Sequence, residues 1–386
     1  MLQVDHVYEF IYQNIFKDFE MWHPVNGVIK TEPINNSDIS VFTLKPNQRR
    51  KIFLYDQEPF IPKLATQYIN KYLKNPIQSV LTTSEFSNDV NSCCKKNNFY
   101  QLYYFFHGFA ALDWFRGHYA LNFNKPSNIQ CKYDFISYNR LLLDDRSYRL
   151  YFISLLNEAK LLKNNLVSYG VTDTTSDEWV SELSNPNTKL SVHAIEHIAT
   201  YAPKTKIIID NAYVQGSASA DIPRTIPGYW PNNDQPNVDA FWHIVTETVF
   251  YYDKLHLTEK IFKPIVSKQP FMLLAAPGNL EYLRSYGFKT FSDVIDESYD
   301  NIQDNDLRTE AVVKQLQWYC NLSTSKKQEI INKISPIVEY NFQHFYGMFK
   351  HIITSELLNN CKSLFKEIGY DDSTIAYDDI YRVVTT

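Results

Sequence analysis

Short apolar runs in the first third of the chain, at Ser40–Leu44, Lys51–Tyr55, Ser79–Thr83 and Leu102–Phe106, have the length and β-branched or aromatic content of strands. Between them lie stretches such as Ile61–Leu73, where apolar positions recur at helical spacing. This alternation predicts α/β layers. A polar segment, Asn122–Gln130 (NFNKPSNIQ), then interrupts the pattern and reads as a domain boundary.

Beyond it, Tyr133–Tyr138 (YDFISY) reads as a compact strand, followed by a helix for which Asp144 or Asp145 would be the N-cap. Its apolar face would be Tyr148, Phe152, Leu155, Ala159 and Leu162. Further strands are predicted at Lys206–Ile209, Trp242–Phe250 and Phe271–Ala275. A helix after Pro277-Gly278 should stop at Gly287, which suits the C′ position. Beyond residue 305 the pattern is helical nearly to the end. The turn-rich stretch Asn211–Gln235 receives no element.

The 386 residues suffice for two cores. A hydrophobic content of 44% with 21% charge argues against disorder. The net charge of −5 argues against generic nucleic-acid binding. A local basic groove would draw on Lys95, Lys96, Arg116, Lys125 and Lys132, whose scatter reads better as solvated surface. The start, MLQVDHVYEFIYQNIF, lacks the basic and apolar regions of a signal peptide, and no run approaches the ~18 apolar residues of a membrane span. Five cysteines without a C-x-x-C pair suggest reduced thiols and a cytoplasmic setting. Only 10 glycines occur and none are spaced G-x-G, which excludes the dinucleotide fingerprint and the P-loop. Cationic side chains and helix ends would have to hold any bound phosphate.

Four places could carry chemistry. In NRLLLDDRSYR, a strand runs into a helix, and Asn139, Arg140, Arg146 and Arg149 surround the turn. Arg146 and Arg149 share one face of the first helical turn. Cations there oppose the helix dipole by roughly 0.3–1 kcal/mol each, and a bound diphosphate would reverse that sign. The bland alternative is surface pairing with Asp144 and Asp145. In HLTEKIFKPI, Thr258 can cap a helix that opens with Glu259 and Lys260, suited to ribose hydroxyls and phosphate, or simply to an ordinary capped helix. Pro264 should kink or break that helix. Glu247 would lie inside a strand on one face with Val245 and Val249, costly unless paired. In FLYDQEPF, Asp56 and Glu58 end a strand and suit a general base. If that strand continued, both would share a face. FFHGFAALDWFR adds His107, Asp113 and Trp114, with Asp113 beside an aromatic surface. The one D-x-D, Asp304-Asn305-Asp306, reads as solvated surface, and no histidine pair has metal spacing.

Together these patches resemble the α1,3-fucosyltransferase family and the related glycosyltransferases of tailed phages and algal viruses. The most specific is TETVFYYDKLHLTEKIFKPIVSKQPFMLLAAPG, a strand with Glu, then T-E-K opening a helix, then an apolar strand and a proline turn. NRLLLDDRSYR matches the upstream arginine block. YDQEP, YFFHGFAALDW and GFKTFSDVIDESYD resemble blocks of the phage-type enzymes. The fucosyltransferases carry E-S-P where this chain has Glu58-Pro59.

The resemblance implies a GT-B fold, two Rossmann-like domains facing across a cleft with C-terminal helices. The domains would be 1–130 on the acceptor side, 131–345 for the nucleotide sugar, and 346–386 as a helical extension packing back on the first. It implies inverting transfer from a GDP- or UDP-linked sugar, without a cofactor or an obligatory metal. Arg146, Arg149 and Lys260 would hold the diphosphate, Glu247 and Glu259 the sugar or ribose, and Glu58, Asp56 or Asp113 would serve as base. The acceptor would be a glycan hydroxyl or, alternatively, a hydroxymethylated DNA base. A non-catalytic nucleotide- or glycan-binding protein is the reading from another class.

Overall fold

The computed structural model describes residues 7, 19–22, 24–25, 28–29, 50–63, 65–67, 79–115, 131–139, 141–169, 183–205, 207, 239–369 and 378. The protein is mixed α/β with parallel sheets, and it divides into two compact units. Unit 1 comprises Met1–Arg116, Lys254–His256 and Tyr346–Thr386; unit 2 comprises Gly117–Asp253 and Leu257–Phe345. The strand expected at Ser40–Leu44, the boundary segment Asn122–Gln130 and the stretch Asn211–Gln235 lie outside the described residues, as does much of Ile61–Leu73.

Unit 1 begins with β1 (Phe19–Trp22), β2 (Pro24–Val25), β3 (Val28–Ile29), β4 (Arg50–Tyr55), β5 (Val80–Thr83), β6 (Phe86–Ser87), α1 (Asn88–Asn97), β7 (Tyr100–Tyr103) and α2 (Phe106–Trp114). Its sheet has the order β1-β4-β5-β7, every pair parallel. The strand expected at Leu102–Phe106 ends earlier, because Tyr104–Phe106 turns: the Phe106 amide donates to the Tyr104 carbonyl and the Ser84 hydroxyl, and α2 starts there. Phe53, Leu81, Val90 and Phe99 fill the core between sheet and α1.

Unit 2 contains β8 (Tyr133–Ser137), α3 (Tyr148–Glu158), β9 (Leu166–Val167), α4 (Val192–Tyr201) and β10 (Ala240–Thr246). The two-residue β11 (Lys254–Leu255) belongs to unit 1, where it pairs antiparallel with β6; unit 2 continues with α5 (Glu259–Val266), β12 (Phe271–Leu274), α6 (Asn279–Ser285), α7 (Asn305–Cys320) and α8 (Thr324–His344). The last helix, α9 (Lys350–Ile368), belongs to unit 1 and packs on β7 and α2.

The sheet of unit 2 has the order β12-β10-β8-β9, again all parallel. Every residue of β10 is buried, as befits a central strand covered on both faces. Trp242 meets Phe291 and Tyr319 edge-on; a side chain of this size contributes ~1.5–3 kcal/mol or more by its burial. Of the strand expected at Lys206–Ile209, only Ile207 is described, in a bridge with Tyr169.

Three local expectations need correction. Neither Asp144 nor Asp145 caps α3: a single 3-10 turn, Asp144–Arg146, intervenes, and the helix begins after Ser147. The strand expected to run to Phe250 ends at Thr246, where its pairing with Leu274 ends. Pro264 lies within α5 without breaking it, since a proline deprives only the carbonyl one turn earlier of its partner. Gly287 does follow the end of α6 with φ +86°. Among the described residues no helix is long and apolar enough to cross a membrane.

Candidate functional site

From β8 the chain passes through α3 to β9 on one side; from β10 it passes through α5 to β12 on the other. The carboxyl ends of β8 and β10 therefore form a topological switch point, the place where open parallel sheets bind ligands. The described strands of unit 1 follow one another in order and contain no such reversal.

The residues leaving β8 and β10 are tied together. Asn139 is fully buried; its amide nitrogen donates to Ser137 Oγ (3.1 Å), and its Oδ1 accepts from Thr246 Oγ1 (3.1 Å). Its backbone N–H donates to Ser168 Oγ at 2.6 Å, so it joins the ends of β8, β9 and β10. Arg149, 4% exposed, sends Nη1 to the Leu141 carbonyl (3.0 Å) and Nη2 to the carbonyls of Thr246 (2.7 Å) and Glu247 (3.2 Å). Its guanidinium thus fastens the β8–α3 connection to the end of β10. Tyr148, stacked on Phe250, donates its phenol to the Glu247 carbonyl at 2.6 Å, and burial pushes that phenol above its ordinary pKa.

Glu247 is fully buried at the first position after β10. One carboxylate oxygen accepts the Thr258 amide (3.1 Å); the other accepts the Thr258 hydroxyl (2.6 Å) and the Thr248 amide (3.1 Å). Thr258 is the N-cap of α5, as its sequence context predicts. Lys260 Nζ reaches Thr248 Oγ1 (3.2 Å), Thr258 Oγ1 (3.0 Å) and Glu259 Oε1 (3.0 Å). Its side chain is 37% exposed and that of Glu259 27%, so their pairing is worth only ~0–1 kcal/mol. Arg146 is half-buried in the 3-10 turn just before α3, and its side chain forms no hydrogen bond or ion pair with any described residue. Arg140 lies outside the described residues.

These two cations differ from Arg149 in what they can do. Three carbonyl partners hold Arg149 in the scaffold. Lys260 exchanges a weak surface pair, and Arg146 gives up no partner, if an anion arrives between the starts of α3 and α5. Charge-assisted hydrogen bonds to such an anion are worth ~1.5–3 kcal/mol each, more than the Lys260–Glu259 pair they would replace.

The carboxylates considered as bases all belong to unit 1. Asp56 is fully buried and accepts the Tyr104 phenol at 2.5 Å. Because β4 ends at Tyr55, Asp56 and Glu58 do not share a strand face: Glu58 is exposed and forms no hydrogen bond or ion pair with a described residue. Asp113 is half-buried near the end of α2, beside the exposed Trp114.

Two buried groups had no signal in the sequence. Arg308 is 1% exposed and donates to the carbonyls of Ala275, Phe250 and Ile302 and to Asn305 Oδ1, bracing the turns that follow β10 and β12. Glu85 and Lys254 form a buried ion pair at 2.9 Å. Asp304 and Asp306, the D-x-D residues, cap α7 and bond to Ser191 respectively. Among the described residues no group of three or more His, Cys, Asp or Glu side chains could hold a metal ion.

Comparisons with protein-family models, with curated proteins and with solved structures find no match.

Proposed function

We infer that the protein transfers a sugar from a nucleoside-diphosphate donor, bound by unit 2, to a hydroxyl acceptor with inversion. The observation that carries this reading is the switch point between β8 and β10, the strands that lead into α3 and α5, with Arg146 just before one helix start and Lys260 within the other. The diphosphate would lie against those N-termini, and the two cations would neutralise it without a metal. The T-E-K block and the arginine block fall at this switch point, which supports the resemblance to the α1,3-fucosyltransferases and their phage and viral relatives. The GT-B arrangement, with unit 1 on the acceptor side, is part of the same proposal.

In this mechanism the chain supplies three things. Glu247 and Thr258 fix the start of α5, so Lys260 stays beside Thr248. Arg146 and Lys260 stabilise the negative charge that grows on the leaving diphosphate. Glu58, exposed in the loop that follows β4, is the candidate base that takes the proton from the acceptor hydroxyl as its oxygen attacks the sugar carbon.

A thermal-shift panel of GDP, UDP, ADP and their sugar derivatives, with and without EDTA, tests the donor assignment. A diphosphate should raise the melting temperature equally in both conditions. No shift, or a shift that requires a divalent cation, would remove the basis for it.

A further inference from the structure

We propose that the buried ion pair Glu85–Lys254 is a positioning device for the loop Asp56–Phe60, and that it sets where Glu58 is presented. This rests on the reading of Glu58 as the base; the loop geometry stands apart from it.

The loop DQEPF is fastened at nearly every residue. Asp56 is held by the Tyr104 phenol, and the Gln57 carbonyl meets His107 Nε2 at 3.1 Å. The ring of Pro59 fixes its own φ. At Phe60 both backbone groups are taken by the ion pair: the amide donates to Glu85 Oε2 (2.8 Å), and the carbonyl accepts from Lys254 Nζ (2.6 Å). The Phe60 ring lies edge-on to Tyr55 at 5.2 Å, and the Lys254 ammonium lies 5.9 Å from its centre. Glu58 alone points its side chain into solvent.

The pair is built for this contact. Glu85 is 1% exposed and Lys254 3%, so neither charge is tolerable without the other. Glu85 Oε1 also accepts the Ser87 hydroxyl at 2.6 Å, and Asp89 lies 3.4 Å from Lys254. Antiparallel pairing of β6 with β11 sets Ser87 opposite Lys254 and so delivers the ammonium to Glu85. A pair that only filled space could be apolar; this one places a hydrogen bond on each backbone group of Phe60, two residues from Glu58. Positioning matters at this scale, because a displacement of about 1 Å can cost roughly 10²-fold in rate.

The test compares wild type with Lys254→Met, Lys254→Arg, the neutral double variant Glu85→Gln/Lys254→Met, and Glu58→Gln. The double variant leaves no unpaired buried charge and guards against simple misfolding. Two readouts are taken: hydrogen–deuterium exchange across residues 56–61, and nucleotide release from GDP-fucose and UDP-glucose. In Lys254→Met and the double variant, exchange of the loop should rise about tenfold or more while α1 and β5 stay protected. Turnover should fall at least tenfold in kcat with little change in KM, and Lys254→Arg should recover most of both losses. Wild-type exchange across the loop in the double variant would overturn the proposal, even if neither sugar nucleotide is turned over. If Glu58→Gln abolishes turnover while the Lys254 variants retain it, positioning fails and the base stands. If Glu58→Gln turns over at the wild-type rate, the base reading fails, and the exchange data alone decide what holds the loop.

Discussion

Glu247 accepts both the amide and the hydroxyl hydrogen of Thr258, at 3.1 and 2.6 Å. A carboxylate at the end of a central strand therefore caps the helix that carries Lys260. Its oxygens face the scaffold, so in the proposed donor site Glu247 would act through the placement of α5.

Replacing Glu247 with Ala should thus act first on stability. Thr258 and Thr248 would lose buried charge-assisted partners, a cost of about 3 kcal/mol. Glu247→Gln keeps one acceptor and should cost about 1–2 kcal/mol. Urea unfolding of both variants, alongside Thr258→Ala at about 1 kcal/mol, checks this order. A Glu247→Ala protein as stable as wild type would show that the cap is not needed.

Arg146, Arg149 and Lys260 should separate into two classes. Arg149→Ala strands three carbonyl acceptors and should destabilise by about 3 kcal/mol. Arg146→Ala and Lys260→Ala should leave stability within about 0.5 kcal/mol. Each should instead weaken diphosphate affinity roughly tenfold, the loss of one charge-assisted contact. Calorimetric unfolding and nucleotide titration of the three variants measure both quantities. Equal destabilisation by all three would assign them a common structural role.

The parts of this site set by local chemistry were legible from the residues alone. Thr258 as an N-cap and Gly287 as a C′ residue follow from short-range rules, and both elements formed as those rules require. The start of α3 was misread because Asp144 adopts φ +55° and closes a 3-10 turn, a choice that hydrogen bonds from Arg146 and Ser147 impose. Glu247 was misplaced because strand length depends on a neighbour, and β12 stops offering partners at Leu274. Arg149 looks like a phosphate ligand in sequence, yet the carbonyls it satisfies lie about a hundred residues away. Glu85 and Lys254 are 169 residues apart, and no periodicity announces such a pair.

Gly287→Ala should be costly for two reasons. The residue sits at φ +86°, where a side chain is strained, and an added Cβ would lie 2.9 Å from the His344 ring. That ring is held by a hydrogen bond to the Tyr286 carbonyl at 2.8 Å, so it yields little. A loss of about 2–3 kcal/mol is expected in chemical denaturation. An unchanged midpoint would mean that α8 shifts without penalty.

Stability should fall at alkaline pH. Burial pushes the phenols of Tyr148, Tyr299 and Tyr319 up and that of Tyr169 to about 12. An unfolded chain loses these protons near pH 10. Above that point the folded state holds more protons, so the stabilisation is complete below about pH 10 and is lost as pH rises towards 12. Each phenol removes up to ~1.4 kcal/mol per pH unit. Arg308, pushed down to about 10 by burial, works with the opposite sign over the same window, one group against several. Melting temperatures from pH 9 to 11 should be level at first and then decline; a flat profile throughout would contradict the burial of these phenols.

The most direct test of the donor-site proposal is a crystal structure of the protein with the nucleoside diphosphate that gives the largest melting shift, grown in EDTA. The diphosphate should lie at the carboxyl ends of β8 and β10, between the starts of α3 and α5, within hydrogen-bond reach of Arg146 and Lys260. A diphosphate bound elsewhere, or one that binds there only through a metal ion, would contradict it.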